Sequence, residues 1–209
     1  LLRRNLPCTR ALSFLGAGCY QHHVPAVCDE INGRAEFLTA YAGEPYEDHG
    51  RFQALFEYQS LMGELLDCEV VNVPAMDGAQ AAATALRMAQ RITGRGEALV
   101  AADIHPDVRR AMENYCAPGM TMRSIPFDLH TGALDRAALE AALSGKTACV
   151  YLQAPSFLGV VPDGIPEIAR LAHAAGAELI VGCDPSLLGA LESPMNLGAD
   201  IAVGDIQPL

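Results

Sequence analysis

Apolar residues recur in two different rhythms along this 209-residue chain, and the rhythm changes near residue 69. In "RFQALFEYQSLMGELLD", residues 51–67, they return every three or four positions, which is the pattern of an amphipathic helix. From residue 69 onward, short apolar runs alternate with longer stretches of helical period. We therefore predict an N-terminal loop and helical segment over residues 1–68 and an α/β domain over residues 69–209.

The N-terminal segment is predicted to contain two helices separated by a loop. The first helix covers residues 25–38 and opens with Pro25, a residue type favoured at helix starts. The loop, residues 39–50, is rich in glycine, proline and acidic residues. The second helix covers residues 51–67, and its apolar face is predicted to hold Phe52, Leu55, Phe56, Gln59, Met62 and Leu66.

The rest of the chain alternates between strands and helices in a regular order. Strands are predicted at residues 69–73, 97–102, 120–127, 147–153, 177–183 and 199–205. Helices are predicted between them, at residues 78–93, 106–116, 134–144 and 164–176. This alternation is typical of βαβ units, and continuous apolar strands fit a sheet that is covered on both faces. The predicted fold class is therefore α/β with a mostly parallel sheet.

Candidate ligand-binding residues follow these strands, because ligands of parallel sheets bind beyond the carboxyl ends of the strands. Asp77 and Gly78 follow the first predicted strand and open a helix, where Asp77 can cap the helix and the N-terminus can attract a phosphate. His105 follows the second strand, where a histidine can stack on a cofactor ring. Asp184 follows the fifth strand and is placed to hold a ring nitrogen, as an aspartate does in pyridoxal phosphate (PLP) enzymes.

PLP enzymes also need a lysine that binds the cofactor as a Schiff base. The sequence contains one lysine, Lys146, and it precedes the strand predicted at 147–153. A strand of five residues at about 3.3 Å each would place it about 16 Å from the ligand-binding edge. Lys146 is therefore predicted to be a loop lysine. Either the cofactor lysine lies beyond Leu209, or another chain supplies it.

Composition and charge limit the possible cellular compartment and binding partners of the protein. The formal net charge of −11 argues against nucleic acid and anionic membranes as partners, and no stretch reaches the ~18 apolar residues of a membrane span. The seven cysteines include no C-x-x-C pair, which favours free thiols in a reducing cytoplasm. A zinc site needs several clustered ligands, and Cys19, His22 and His23 form the only cluster of metal-ligand residue types in the sequence. No metal site is therefore expected. Both chain ends are expected to be truncated.

Two long ungapped stretches resemble one known family. They are "LSFLGAGCYQHHVPAVCDEINGRAEFLTAY" at residues 12–41 and "LQAPSFLGVVPDGIPEIARLAHAAGAELIV" at residues 152–181. Both are similar to the glycine cleavage system P-protein family, in particular to the N-terminal subunit of its two-subunit members. "FQALFEYQSLMGEL" and "MDGAQAAATAL" extend the likeness. The resemblance implies the large domain of an aspartate-aminotransferase-like (fold-type I) PLP-dependent transferase.

The resemblance also implies a function that is divided between two chains. The family decarboxylates glycine, with PLP as the electron sink, and passes the aminomethyl group to the lipoyl arm of the H-protein. PLP is implied to sit in a lysine-bearing second subunit, with none bound covalently here, and no catalytic residue is expected in this chain. Degenerate cofactor-pocket positions are implied at Asp77, Gly78, His105, Asp184 and Gln207, and contributions to the partner's pocket are implied from Gly16, Gly18, Tyr41, Tyr46 and Glu47.

Departures from the family keep other interpretations open. The loop after Tyr41 is more acidic than is usual in the family, and the helical region that precedes "SFLGAG" in the family is largely absent. One alternative is an independent PLP enzyme, a decarboxylase or desulfurase relative, cut before its lysine. Another is a non-catalytic scaffold with a degenerate PLP fold.

Overall fold

A computed structural model describes residues 6, 10–12, 22–34 and 49–209, with side chains from residue 52 onward in the last range. Strands are β1 Glu97–Ala101, β2 Thr121–Ile125, β3 Thr147–Ala154, β4 Glu178–Cys183 and β5 Ile201–Gly204. Helices are α1 Ala26–Asn32, α2 His49–Leu66, α3 Gly78–Thr93, α4 Pro106–Cys116, α5 Arg136–Ala142 and α6 Ile165–Ala174, with a 3-10 helix at Pro185–Gly189. From residue 78 onward the predicted order of elements is confirmed.

The five strands form one sheet in the order β2-β1-β3-β4-β5, and each neighbouring pair is parallel. Parallel neighbours require crossover connections, which α4, α5 and α6 supply between successive strands. The first six residues of β3 are fully buried, as the continuous apolar run of that strand predicts. The carboxyl ends of all five strands consequently meet at one edge, called here the carboxyl edge, and their starts meet at the amino edge.

Alanines let α3 approach the sheet closely. The helix packs along α4 and across β3, β4 and β5. Its buried residues are mostly small: Ala82, Ala83, Ala85, Leu86 and Ala89. The helix ends as predicted at Gly94, which adopts a φ of 68°, and its amide donates a hydrogen bond to the Gln90 carbonyl.

The strand predicted at residues 69–73 is wrong, because this segment pairs with no strand in the described part of the chain. The Gln59 side-chain amide donates a hydrogen bond to the Val71 carbonyl, so this carbonyl is bound by a side chain of α2 and not by a neighbouring strand. Val70 is 81% exposed, so its apolar run is not a buried one. Apolar runs of this length occur both in buried strands and in segments outside a sheet, and the local sequence pattern does not distinguish the two.

Both N-terminal helices differ in extent from their predictions. α1 starts after Pro25 as predicted and ends at Asn32, with Gly33 as its C-cap, and none of its residues is buried; residues 35–38 of the predicted helix lie outside the described residues. α2 starts two residues before the predicted position 51 and ends one before position 67. The predicted division of the chain after residue 68 stays a prediction.

The predicted apolar face of α2 is only partly covered. Met62 is buried, and the Ser193 hydroxyl donates a hydrogen bond to the Leu66 carbonyl, so the end of the helix is fixed to the domain. Phe52 and Phe56, nearer its start, are exposed. The helix is therefore anchored at one end. None of the described helices has the length and apolar character needed to cross a membrane.

Candidate functional site

The carboxyl edge of the sheet gathers residues that the sequence analysis placed there, His105 and Asp184, together with Gln153. His105 follows β1, Gln153 lies near the end of β3, and Asp184 directly follows β4. Gly78 also lies at this edge, but by a different route from the predicted one. Among the residues that the structure describes, no strand precedes it; instead, it packs against Gly204 at the end of β5.

The N-terminus of α3 is closed by its own side chains. The Asp77 carboxylate accepts a hydrogen bond from the Gln80 amide at 2.7 Å, and the Gln80 side-chain oxygen accepts one from the Met76 amide at 2.8 Å. The pair resembles a capping box, except that the Gln80 side chain binds the amide one residue before the N-cap. A Cβ at Gly78 would lie 3.4 Å from the Asp205 Cβ, so a second acidic residue borders the same helix start. Two carboxylates counteract the attraction of a helix N-terminus for a phosphate.

Asp184 uses its carboxylate for a local cap. Its Oδ1 accepts hydrogen bonds from the Ser186 amide at 2.9 Å and the Ser186 hydroxyl at 2.7 Å, which starts the 3-10 helix. The neighbouring Cys183 thiol has its pKa raised to about 11, first by burial and then by the Asp184 charge. That thiol is therefore protonated at neutral pH. An apolar cavity of about 100 Å³ adjoins both residues, with Leu187, Leu188 and Leu191 in its wall.

His105 is held from three directions. Its Nδ1 accepts a hydrogen bond from the Asp107 amide at 3.1 Å and thereby caps α4, which assigns the ring proton to Nε2. Its backbone amide donates to the Gln153 side-chain oxygen at 2.8 Å. Its ring meets Phe157 edge to face, with ring centroids 4.9 Å apart. The backbone of Phe157 is tied to the same loop, because its amide donates to the Asp103 carbonyl at 2.9 Å.

Tyr151 and Gly182 were missed by sequence reasoning. Tyr151 is fully buried in β3, and its hydroxyl lies directly over the Cα of Gly182 in β4: a Cβ there would be 2.5 Å from the phenol oxygen. Burial raises the pKa of this phenol, and the Gln153 side-chain amide donates to its oxygen at 3.5 Å. A lone glycine inside the apolar run "LIVGC" was the available signal, since such a glycine often marks a close approach.

Lys146 lies at the opposite edge of the sheet, as predicted. It directly precedes β3, and its carbonyl accepts a hydrogen bond from the amide of Glu97, the first residue of β1. The eight residues of β3, at about 3.3 Å each, separate it from the carboxyl edge by about 26 Å. The predicted distance of about 16 Å was short because the strand is longer than the five residues assumed.

Of the remaining predicted site residues, the structure describes Gln207 alone. Gln207 is exposed in the turn after β5, where its amide donates to the Asp205 carboxylate at 3.2 Å. The residues assigned to the partner's pocket lie outside the described part of the chain: Gly16, Gly18, Tyr41, Tyr46 and Glu47. Within the described ranges, no three His, Cys, Asp or Glu side chains are grouped to hold a metal ion.

The carboxyl edge does not fit a covalently held PLP. In the described part of the chain, the edge has no lysine, and its helix start carries Asp77 beside Asp205. The buried phenol of Tyr151 occupies the layer above Gly182. Asp184 Oδ1 and His105 Nδ1 each accept capping hydrogen bonds. The described part of this edge therefore offers no amine for a Schiff base.

The sheet and this edge define a class of protein: the α/β fold of the fold-type I PLP-dependent transferases. A glycine decarboxylase (P-protein) of the glycine cleavage system, solved in an inhibitor-bound form, has the same fold at a TM-score of 0.85 and 39% identity over 98% of this chain and 46% of that one. The chain belongs to the glycine cleavage system P-protein family, because the sequence profile described as "Glycine cleavage system P-protein" matches residues 5–209.

Curated relatives carry a more specific name. "Probable glycine dehydrogenase (decarboxylating) subunit 1" of Anaeromyxobacter dehalogenans is 45% identical over 93% of this chain and 44% of that protein. The protein of the same name from Thermococcus kodakarensis is 41% identical over 98% of this chain and 45% of that one. The chain therefore spans less than half the length of these relatives. A sphingosine-1-phosphate lyase of Burkholderia pseudomallei shares the fold alone, at 19% identity and a TM-score of 0.52.

Proposed function

We propose that this chain is part of the subunit of glycine decarboxylase that does not carry the cofactor. A second, lysine-bearing subunit holds PLP, which supplies the electron sink for the carbanion left when glycine loses CO2. The aminomethyl group then passes to the lipoyl arm of the H-protein. The names of the relatives support the division into subunits.

One observation carries the proposal about the cofactor. The single lysine of these 209 residues lies at the amino edge, whereas the carboxyl edge carries Asp77 and Asp205 at its helix start. A phosphate bound at that helix start would face two carboxylates, and an aldehyde at that edge would meet no amine. The role left to this chain is structural: to complete a pocket and to orient the second subunit.

Reductive labelling tests which subunit holds the cofactor. The full-length subunit and its second subunit are mixed with PLP, reduced with borohydride, and mapped for pyridoxyl-lysine by mass spectrometry. We expect a stoichiometric adduct on the second subunit and none at Lys146. A Lys146→Arg variant should keep full glycine–bicarbonate carboxyl exchange when paired with the second subunit. A stoichiometric adduct on this subunit, or exchange by this subunit alone, would contradict the proposal and favour an independent PLP enzyme.

Two coarser features complete the proposal. We propose a cytoplasmic location, which the free thiols of Cys28, Cys68, Cys116, Cys149 and Cys183 support. We also propose that Gly16, Gly18, Tyr41, Tyr46 and Glu47 contribute to the pocket of the second subunit. The family resemblance of residues 12–41 supports this assignment.

A further inference from the structure

Three ionisable side chains from three parts of the fold meet at the amino edge of the sheet, where β5 begins. His173 lies in the last turn of α6, Glu178 is the first residue of β4, and Asp200 directly precedes β5. The Asp200 Oδ2 atom lies 2.8 Å from His173 Nε2 and accepts a hydrogen bond from the Leu179 amide at 2.7 Å. The Asp200 amide in turn donates to the Leu179 carbonyl at 2.9 Å. Asp200 thus ties the start of β5 to both α6 and β4.

The carboxyl group of Glu178 is hydrogen-bonded to the carboxyl group of Asp200. Two carboxyl groups can share a hydrogen bond only while one of them holds a proton, because a carboxylate offers no donor. Burial raises the pKa of Glu178 first and the Asp200 charge raises it second, whereas His173 lowers it. Without the shared proton, two negative charges face each other at the start of β5, and repulsion replaces the hydrogen bond.

The other ionisable groups around this cluster are uncharged or bound elsewhere. Cys149 is the β3 residue in register with Glu178, and burial raises the pKa of its thiol to about 12, so the thiol stays protonated. The Arg95 guanidinium donates to two carbonyls at the end of α6. On α6 itself, Arg170 forms an ion pair with Glu167. The remaining charged side chains of the amino edge belong to β1, β2 and the turn before β3: Glu97, Arg123 and Lys146.

The strand that this cluster holds has few other restraints in the described part of the chain. None of the four residues of β5 is buried, and the strand pairs there with β4 alone. Its far end carries Gly204 and Asp205 to the start of α3, where a Cβ at Gly78 would lie 3.3 Å from the Gly204 carbonyl carbon. Opening of β5 would therefore displace residues of the carboxyl edge as well as of the amino edge.

We propose that Glu178, Asp200 and His173 form a pH-sensitive clamp on β5. At low pH, the proton shared by the two carboxyl groups and the contact between Asp200 and His173 hold the strand, and that contact becomes an ion pair when the His173 ring is protonated. As the pH rises, the shared proton is lost, the carboxylates repel each other, and β5 opens locally more often.

The direction of this effect follows from the raised pKa of Glu178. The contribution of the shared proton is fully present below the ordinary glutamate value of 4.5 and is lost as the pH rises through the higher folded value. The clamp concerns the local opening of one strand, so it holds or fails independently of the proposed function.

Hydrogen–deuterium exchange of the full-length subunit, followed by mass spectrometry, tests the clamp. Protection factors, corrected for the intrinsic effect of pH on exchange, are compared between about pH 5 and about pH 8. In the wild type, we expect the protection of the β5 amides and of the Leu179 amide to fall about threefold or more as the pH rises, while the buried β1 amides stay constant. If β5 protection does not change with pH, or if β1 changes in parallel, the opening is absent or global and the proposal is overturned.

Two neutral variants separate the shared proton from the geometry of the cluster. Glu178→Gln removes the charge that repels Asp200, and Asp200→Asn keeps an oxygen that can accept from the Leu179 amide. Each should make the protection of β5 nearly independent of pH. Glu140→Gln, on the exposed side of α5, is the matched control and should keep the wild-type pH dependence. If either neutral variant at the cluster keeps that dependence, or if the control loses it, the shared proton is not its origin and the proposal is wrong.

Discussion

At the scale of single residues, Gly182 and Arg95 allow distant parts of the chain to pack closely. Gly182 has no side chain because the Tyr151 phenol takes the space above it. Arg95, in the loop between α3 and β1, donates from one guanidinium nitrogen to the Thr147, Ala175 and Gly176 carbonyls, at 3.0, 2.7 and 2.8 Å. Neither role is encoded in local periodicity, because both depend on contacts between distant parts of the chain.

Gly182→Ala is expected to destabilise the protein through the tyrosine. The new Cβ would lie 2.5 Å from the phenol oxygen and 3.2 Å from Gln153 Cγ, so buried groups must move, at a cost of about 1–3 kcal/mol. Gly189→Ala is the control, since its Cβ would meet nothing within 4 Å. Urea unfolding measures both. Adding Tyr151→Phe should recover part of the loss of Gly182→Ala, and equal stabilities for the two alanine variants would contradict the close contact.

Arg95→Met is expected to destabilise the amino edge. It leaves carbonyl groups of β3 and of the end of α6 without their donor, and an unsatisfied partly buried group costs about 1–3 kcal/mol. Arg91→Met, on the exposed side of the same region, should change the free energy of unfolding by about 0.5 kcal/mol or less. Thermal unfolding of the two variants compares them directly. An equally small change in the stability of both variants would show that water replaces the Arg95 guanidinium without a loss of stability.

At the scale of elements, strands and helices from residue 78 onward were predictable because each carries its own signal. Gly94 and Pro106 mark helix boundaries, and the apolar run of β3 is continuous. Residues 69–73 carry the same apolar signal and form no strand. Such a run joins a sheet only if a strand with unpaired backbone groups lies beside it. Here the Val71 carbonyl is instead bound by the Gln59 side chain of α2.

The start of β4 holds a carboxyl group whose charge opposes folding at neutral pH. Burial raises the pKa of Glu178, and the neighbouring Asp200 raises it further, while His173 acts in the opposite direction. Asp200 is itself bound, since its Oδ2 accepts from the Leu179 amide at 2.7 Å and lies 2.8 Å from His173 Nε2. Because the folded pKa exceeds the unfolded one, this group's contribution to stability is fully present below the unfolded pKa and is lost as pH rises through the folded pKa.

Glu178→Gln should therefore melt at a higher temperature than wild type at pH 7, and the difference should shrink as pH falls toward the ordinary glutamate pKa. Glu140→Gln, on the exposed side of α5, serves as the control and should show no such trend. Differential scanning calorimetry across this pH range provides the measurement. A gap between Glu178→Gln and wild type that widens on acidification would contradict the raised pKa.

At the scale of the whole molecule, the functional prediction came from the family resemblance of residues 12–41 and 152–181, and one topological argument separated Lys146 from the ligand-binding edge. In a parallel sheet, a residue before a strand and a residue after it lie at opposite edges, so Lys146 and Asp184 could be separated without coordinates. Sequence could also place Asp77 and Gly78 at the carboxyl edge, although through a strand that does not exist. It could not show that Asp77, His105 and Asp184 each accept a capping hydrogen bond, because the same residue types serve in caps and in cofactor sites.

The buried phenol of Tyr151 gives this edge an optical signature. These 209 residues contain no tryptophan, so their near-ultraviolet absorption comes mainly from six tyrosines. The pKa of Tyr151 is raised by burial, because the charged phenolate would have to form inside the sheet without contact with water. Spectrophotometric titration with base should therefore show Tyr151 ionising last, and only as the sheet opens. The appearance of its phenolate absorbance would therefore report the separation of β3 from β4.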